Sequence, residues 1–278
     1  DSILQASEQT VRALQGQMAG LTESLEDSRS EVSQLSRALT AANESGSDEQ
    51  IALLRQQLNN ASEALRSQQV AAQIDWNAVW SDHQQSVAMV WVEFAPGEVA
   101  TGTAFAVTHD GLMLTSKHVV AGERGDRPAI RLAVKFADSD QVFPAEVVAV
   151  SPEADLAALR VRIPSGIPTI AVLASAEQAA RPGQSAVAIG FPLGDELPMT
   201  TLEDRTVART SLTAGTVSKA LSDVVQLDAY GAQGSSGSPI FDREGRVIAI
   251  LYGGQPGSGG RIVFAVPVSH ARDLLNSI

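Results

Sequence analysis

Gly234-Ser235-Ser236-Gly237-Ser238-Pro239 is the stretch that decides how the larger part of the chain folds. Glycines on both sides of Ser236 permit a tight turn that exposes the serine hydroxyl and presents backbone N–H groups. Such N–H groups can form an oxyanion hole, where removal of one donor typically costs about 3 kcal/mol of transition-state stabilisation. Because a Gly- and Ser-rich hexapeptide is also common in ordinary loops, a catalytic function for Ser236 requires a base and an acid elsewhere in the chain.

His118 is the candidate base. A serine hydroxyl becomes nucleophilic only when a base takes its proton, and an acid must orient that base. His118 lies near the end of the strand-like run 112–120, where a rigid element meets solvent. The other histidines are interpreted as structural or solvated: His83 in a polar stretch that joins the two parts of the chain, His109 in a turn and His270 at the start of the last helix.

Asp155 is the candidate acid. It stands directly before the apolar run Leu156-Ala157-Ala158-Leu159, a position that suits a carboxylate partly buried against His118. A strand-capping role is the alternative, and it would be preferred for this aspartate without the motifs around His118 and Ser236.

The composition changes after Gln73, where helical spacing gives way to short β-branched runs separated by Gly and Pro. This pattern predicts an all-β body over residues 75–278, closed by a helix at 269–278. The predicted strands lie near residues 87–94, 103–108, 112–116, 131–136, 143–150, 156–161, 185–189, 212–219, 224–228, 239–242, 246–252 and 262–266.

Six motifs in order accompany the three candidate residues. They are Thr101 to Phe105, Leu114 to Val120, Asp155 to Ala157, Gly183 to Gly194, Thr213 to Ser218, and Leu227 to Ala229 with Gly234 to Pro239 and Gly245 to Ile250. Together they resemble the chymotrypsin-like serine proteases, most closely the bacterial HtrA/Deg branch, over roughly residues 85–278. The resemblance implies a trypsin-like, double six-stranded β-barrel.

The resemblance also implies the roles of individual residues. His118, Asp155 and Ser236 would form the catalytic triad, and the backbone N–H groups of Gly234 and Ser236 would form the oxyanion hole. The chain order His, Asp, Ser is that of chymotrypsin, whereas α/β-hydrolases run Ser, acid, His. Two small residues depart from the family pattern: Ser235, where Asp or Asn is usual, and Ser238, where Gly is usual. Neither a metal nor a cofactor is implied.

A substrate pocket follows from the same resemblance. Tyr230, six residues before Ser236, would lie at the base of the S1 pocket, and Leu251, Tyr252 and Gly253 would form one wall. A tyrosine at the base is expected to shorten the pocket, which favours small or medium apolar P1 residues. The segment 191–211 corresponds to a regulatory activation loop, with a plain surface loop as the alternative.

Residues 1–74 are predicted to form a helical coiled-coil stalk. Large apolar residues alternate at spacings of three and four over more than five heptads, with no proline. The a positions are Leu4, Val11, Met18, Leu25, Val32 and Leu39, and the d positions are Leu14, Leu21, Leu35 and Ala42, with Ser28 as the one polar exception at d. A break at 43–48 is expected, with Gly46 as a helix C-terminal cap and Ser47 and Gln50 as a capping box. A second run, Ile51, Leu54, Leu58, Ala61 and Leu65, either folds back as an antiparallel hairpin or continues into a parallel oligomer.

Composition excludes several functional classes. The net charge of −12 argues against nucleic acid as a partner, because phosphate binding requires clustered Lys and Arg. The chain has no cysteine, which excludes disulfides and thiolate sites. The abrupt start at Asp1 suggests a mature form that follows a signal or membrane anchor. We therefore expect a periplasmic or other extracytoplasmic bacterial protein.

These observations predict a serine endopeptidase that acts on protein or peptide substrates. No PDZ domain, which the HtrA family usually carries, is expected after the closing helix, so the stalk would supply self-association or partner docking. The alternative is a catalytically silent protease fold that serves as a scaffold or partner-binding protein on an oligomeric coiled coil.

Overall fold

The structure is a computed structural model that describes residues 27–43, 47–71, 76–194, 200–202, 205–255, 258 and 261–278. The chain divides into two compact units, Asp1–Ile74 and Asp75–Ile278. The described part of the first unit is helical, and the second consists mainly of antiparallel strands. Within the described ranges, none of the helices has the length and apolar character needed to cross a membrane.

The described residues of the first unit form two helices with a regular apolar stripe. Residues 27–43 form helix α1, and helix α2 covers Asp48–Ala71. The partly buried side chains are Ser28, Val32, Leu35, Leu39 and Ala42 in α1, and Ile51, Leu54, Leu58, Ala61 and Leu65 in α2. These are the predicted seam positions, so the helical periodicity is confirmed. Pairing of the seam with another helix stays a prediction, and the heptad positions up to Leu25 lie outside the described residues.

The capping box at the start of α2 is confirmed. Ser47 Oγ accepts a hydrogen bond from the Gln50 backbone N–H, and Gln50 Oε1 accepts one from the Ser47 N–H, each at 3.3 Å. This reciprocal pair satisfies two backbone donors in the region where a helix leaves its first N–H groups without intrahelical partners. The predicted cap Gly46 lies outside the described residues.

A short helix, α3 (Trp76–His83), opens the second unit. Trp76 and Val79 are buried, and Trp80 donates a hydrogen bond from Nε1 to Thr210 Oγ1 at 2.9 Å. The prediction of a polar connecting stretch is therefore wrong here. The three apolar residues recur at spacings of three and four, which places them on one helical face that packs against the body.

His83, the last residue of α3, has a structural role. Its ring stacks on Phe241 with the ring centroids 4.8 Å apart, and the close approach of Gly245 leaves no room for a side chain there. Burial lowers the pKa of the His83 imidazole, and the nearby charges of Asp82 and Asp242 only partly oppose this effect. The ring therefore favours its neutral form.

The first barrel is a closed antiparallel sheet of six strands in the order β1-β2-β3-β6-β5-β4, with β4 paired back to β1. The strands are β1 (Val87–Ala95), β2 (Glu98–Ala106), β3 (Leu112–Thr115), β4 (Arg131–Phe136), β5 (Phe143–Val150) and β6 (Ala157–Val161). A five-residue helix, α4 (Lys117–Ala121), follows β3. Alanine and valine side chains dominate the barrel core, which suits a narrow interior closed on itself.

The second barrel closes through the pairing of β13 with β14, in the order β13-β8-β11-β12-β15-β14. Its strands are β8 (Ser185–Gly190), β11 (Ser211–Ala220), β12 (Val225–Asp228), β13 (Pro239–Phe241), β14 (Arg246–Gly254) and β15 (Ile262–Pro267). The short strand β7 (Val172–Leu173) joins β14 in parallel, and β9 (Thr200–Leu202) pairs with β10 (Arg205–Val207). Helix α5 (Val268–Asn276) follows β15.

The predicted fold class is confirmed: two six-stranded antiparallel barrels form the body. Each predicted strand is present, with ends that differ by a few residues, and α5 lies where the closing helix was expected. The strands β7, β9 and β10 were not predicted, because two- and three-residue segments are too short to show a period.

Candidate active site

His118 lies on α4, directly after β3. Ser116 precedes the helix in an extended conformation and donates a hydrogen bond from Oγ to the Leu251 carbonyl at 3.1 Å. Val119 and Val120 are buried, which anchors the short helix on the barrel. The sequence predicted His118 at a strand end, but β3 ends at Thr115 and His118 is the second residue of the helix that follows.

Asp155 lies in the loop between β5 and β6 and contacts His118 twice. Asp155 Oδ2 is 2.6 Å from His118 Nδ1, and Oδ1 accepts the His118 backbone N–H at 2.9 Å. The loop is held by Ser151, whose Oγ accepts the N–H groups of Glu153 and Ala154 and whose carbonyl accepts Lys117 Nζ at 3.0 Å. Both carboxylate oxygens therefore orient one histidine, as a base and its acid require.

The pair also sets the electrostatics of the imidazole. Burial of His118 opposes the charged form, but the hydrogen bond and charge of Asp155, with the charge of Glu123, outweigh it and raise the pKa of the ring. The side chains of His118 and Asp155 are only 20% and 25% exposed, so solvent screens their interaction incompletely. A carboxylate at Nδ1 favours the tautomer that carries its proton there and leaves Nε2 free to accept one.

Ser236 lies in the loop between β12 and β13 of the second barrel. Its hydroxyl donates a hydrogen bond to the Tyr252 carbonyl at 3.2 Å. Among the described residues, Ser236 Oγ makes no hydrogen bond to His118. The three predicted triad residues line one cleft, but the serine and histidine side chains are not hydrogen-bonded to each other.

The peptide planes of this loop orient the two N–H groups predicted as the oxyanion hole. A trans peptide points its C=O and N–H in opposite directions. Gln233 O accepts the Leu193 N–H, which turns the Gly234 N–H away from Leu193. Ser235 O accepts the Ser238 N–H at 3.0 Å, which orients the Ser236 N–H in the same manner. In the described part of the chain, neither the Gly234 nor the Ser236 N–H has an acceptor, so both can serve an incoming oxyanion.

The two departures from the family pattern are accommodated by local packing. Ser235 is buried, and its Oγ accepts the Ala232 N–H at 3.2 Å, which tightens the turn before Ser236. Ser238 is 1% exposed, and its Oγ occupies the space where Gly190 would carry a Cβ. The glycine at 190 therefore makes room for the serine at 238.

The cleft has a volume of about 1190 Å³. On the Ser236 side, the cleft is lined by two segments: Gly231, Ala232, Gln233 and Gly234, and Leu251, Tyr252, Gly253, Gly254 and Gln255. Tyr230 is not among the lining residues, and its side chain is 54% exposed. The structure thus does not bring Tyr230 to the base of the pocket, because the chain turns its side chain to solvent before entering the cleft at Gly231.

The remaining histidines lie outside this cleft. His109 Nδ1 is 2.6 Å from the Ile167 carbonyl, in a turn, and His270 Nε2 is 3.0 Å from the Ser222 carbonyl. Each contacts a backbone oxygen of a neighbouring segment, as a structural histidine does. Sequence reasoning missed one buried polar residue at the site, Thr103, which contacts the Ser236 loop from the first barrel. The only sequence feature that could have indicated Thr103 is its position in the motif 101–105.

A double antiparallel barrel with Ser, His and Asp on one cleft defines the class of trypsin-like serine peptidases. The model of the trypsin-like peptidase domain family matches residues 102–250, which is more than half of the chain. The chain therefore belongs to this family.

The similar proteins include HtrA-type serine proteases. The chain is 32% identical to serine protease HTRA1A of Danio rerio over 152 residues, covering 55% of this chain and 30% of that protein. It is 32% identical to a probable periplasmic serine endoprotease DegP-like of Brucella suis over 184 residues, covering 65% of this chain and 33% of that protein. The chain thus spans about a third of the length of these relatives.

Solved structures give the same result for the fold. The HtrA-type protease AlgW with tripeptide superposes with a TM-score of 0.60 at 26% identity, covering 73% of this chain and 63% of that chain. The active form of the Rv3671c protease from M. tuberculosis superposes with a TM-score of 0.59 at 25% identity, covering 73% of this chain and 84% of that one.

Proposed function

We propose that the protein is a serine endopeptidase that cleaves protein substrates through an acyl-enzyme. The observation that carries this proposal is the two-point contact between Asp155 and His118 on the cleft that Ser236 also lines. Family membership and the HtrA-type relatives support the reaction class. The relative named as periplasmic supports an extracytoplasmic location for this chain.

The mechanism assigns one step to each group. Ser236 Oγ attacks the peptide carbonyl while His118 Nε2 takes its proton, and the Gly234 and Ser236 N–H groups stabilise the oxyanion. Protonated His118 then gives its proton to the leaving amine as the C–N bond breaks, which leaves an ester on Ser236. A water molecule hydrolyses the ester with His118 again as the base. Before the first step, the Ser236 hydroxyl must leave the Tyr252 carbonyl and turn to His118.

The cleft also indicates which side chain precedes the cleaved bond. The described residues that line it at 231–234 and 251–255 carry no charged side chain. A pocket without a carboxylate does not favour Lys or Arg, so apolar P1 residues remain our proposal. With Tyr230 turned to solvent, the limit on their size comes from the packed wall around Leu251 and not from a tyrosine at the base.

One observation is also consistent with a second candidate function, a catalytically silent scaffold. The Ser236 hydroxyl donates to the Tyr252 carbonyl and not to His118. Catalytic hydrogen bonds are often long or misaligned before substrate binds, so this geometry is compatible with both functions.

Labelling with a fluorophosphonate probe separates the two functions. The full chain should become covalently labelled, and Ser236→Ala should remove the label without changing the circular dichroism spectrum. Ser165→Ala is the matched control, because Ser165 is exposed, does not line the cleft, and its loss should keep the label. A wild-type chain that stays unlabelled under all conditions would support the scaffold.

The rate of ester hydrolysis should depend on the ionisation of His118. Only the neutral ring can accept the Ser236 proton, so kcat/KM should rise with pH through the His118 pKa. Because that pKa is raised, the midpoint of the rise should lie above the range of an unperturbed histidine. The measurement is a pH profile of kcat/KM, and His270→Gln should leave it unchanged. A midpoint below the ordinary histidine range would contradict the assignment.

A further inference from the structure

Thr103 connects the first barrel to the loop that carries Ser236. It lies in β2, is 0% exposed, and uses its backbone N–H, its carbonyl and its hydroxyl in hydrogen bonds; the carbonyl accepts from Thr115 Oγ1 at 2.7 Å. The Thr103 N–H donates to Ser236 O at 2.8 Å, and Thr103 Oγ1 donates to Gly234 O at 2.9 Å. One residue of the first barrel thus binds two carbonyl oxygens of a loop in the second barrel.

Those two carbonyls complete the set that fixes the loop. Four successive peptide planes run from Gln233 to Gly237. The carbonyls of Gln233 and Ser235 accept the N–H groups of Leu193 and Ser238, and the other two carbonyls, of Gly234 and Ser236, both accept from Thr103. Because neighbouring planes share an α-carbon, rotation of a plane held by Thr103 would also turn the N–H groups beside it.

The hydroxyl of Thr103 has a second partner. Phe191, directly after β8, donates its N–H to Thr103 Oγ1 at 3.1 Å. One hydroxyl therefore acts as donor and acceptor at once, joining β2, the residue after β8 and the Ser236 loop. Serine can make both bonds, whereas valine has the shape of threonine and can make neither. Because Thr103 is fully buried, loss of the hydroxyl leaves the Gly234 carbonyl and the Phe191 N–H without this partner.

We propose that Thr103 is a positioning residue: through Gly234 O and Ser236 O it holds the nucleophile loop with the Gly234 and Ser236 N–H groups available to the oxyanion. This inference rests on the proposed peptidase function. Thr103 does not touch substrate, so its effect is on the transition state and not on the affinity for the ground state.

The test compares Thr103→Val with Thr103→Ser, using hydrolysis of a peptide ester by the full chain. Thr103→Val should lower kcat on the order of 100-fold, the effect of losing one oxyanion donor, with little change in KM. Thr103→Ser should restore most of kcat. Ser86→Ala is the control: it removes another buried hydroxyl, which donates to His83 O at 2.7 Å far along the chain from the loop, and should keep kcat. A Thr103→Val variant with wild-type kcat, or with a changed KM alone, would overturn the inference.

Amide hydrogen exchange provides a readout that does not need turnover. The peptide that contains residues 233–237 should exchange faster in Thr103→Val than in wild type, Thr103→Ser or Ser86→Ala. Equal exchange in all four proteins would overturn the inference even if the wild type were inactive, whereas an unlabelled Ser236 would overturn only the peptidase function. If Thr103→Val does not fold, Thr103→Ala takes its place. Failure of both to fold beside a fully active Thr103→Ser would make the residue a folding determinant and overturn its positioning role.

Discussion

Asp155→Asn is expected to lower kcat about 10⁴-fold while the protein stays folded, the size of effect seen when a triad acid becomes an amide. The two contacts of Asp155 explain why. The amide oxygen of the variant can still accept the His118 backbone N–H, and this choice turns the NH₂ group toward Nδ1. A donor at Nδ1 forces the ring proton to Nε2, so His118 can no longer accept the Ser236 proton.

The measurement is kcat for ester hydrolysis, with the concentration of folded protein taken from circular dichroism. Asp110→Asn is a matched control, since Asp110 does not line the cleft and forms an ion pair with Arg160, with 2.7 Å between the charged atoms. The control should keep kcat within a factor of about two, because an exposed ion pair contributes little. Full activity in Asp155→Asn would show that another group orients His118.

Gly237→Ala is expected to destabilise the protein by about 4 kcal/mol or more and to abolish probe labelling, because two independent penalties combine. Gly237 has a φ of +89°, which an L-residue adopts only with strain. A Cβ at this position would also collide with the Thr103 carbonyl oxygen and lie 2.5 Å from Thr115 Oγ1. Both neighbours are fully buried in the first barrel, so moving either of them away from the added Cβ would cost packing energy.

Gly183→Ala separates strain from collision. Gly183 has a similar φ of +82°, but its Cβ would meet nothing within 4 Å. This variant should cost only the backbone strain, about 1 to 2 kcal/mol, and should keep its label. Urea unfolding of both variants measures the difference. Equal losses of stability would mean that the collision at Gly237 is relieved by movement of the loop.

The strands of the body were predictable because their residues alternate or cluster over at least four positions between turn residues. In the predicted strand 246–252, for example, every residue after Arg246 is apolar or aromatic, and the turn Arg243-Glu244-Gly245 marks the start of the strand. Helix α3 was not recognised, since eight residues with only three large apolar side chains resemble a polar linker. Its packing depends on a surface that only the folded barrel provides.

The candidate site was predictable in its membership but not in its hydrogen bonds. The motifs around His118 and Ser236 identified both residues, and the structure adds the contact that makes Asp155 more than a strand cap. The position of Tyr230 could not be predicted, because the direction of one exposed side chain depends on local backbone angles. The hydrogen bond from Ser236 to Tyr252 O joins residues 16 positions apart and leaves no pattern in the sequence.

His118 and Asp155 belong to one barrel and Ser236 to the other, so neither half of the body holds a complete set of catalytic groups. A nascent chain that has folded only its first barrel has a base without a nucleophile. Under the proposed function, peptide hydrolysis therefore requires that both barrels are folded and in contact. The order of the residues along the chain thus couples the onset of catalysis to the folding of the second barrel, because Ser236 joins His118 and Asp155 only then.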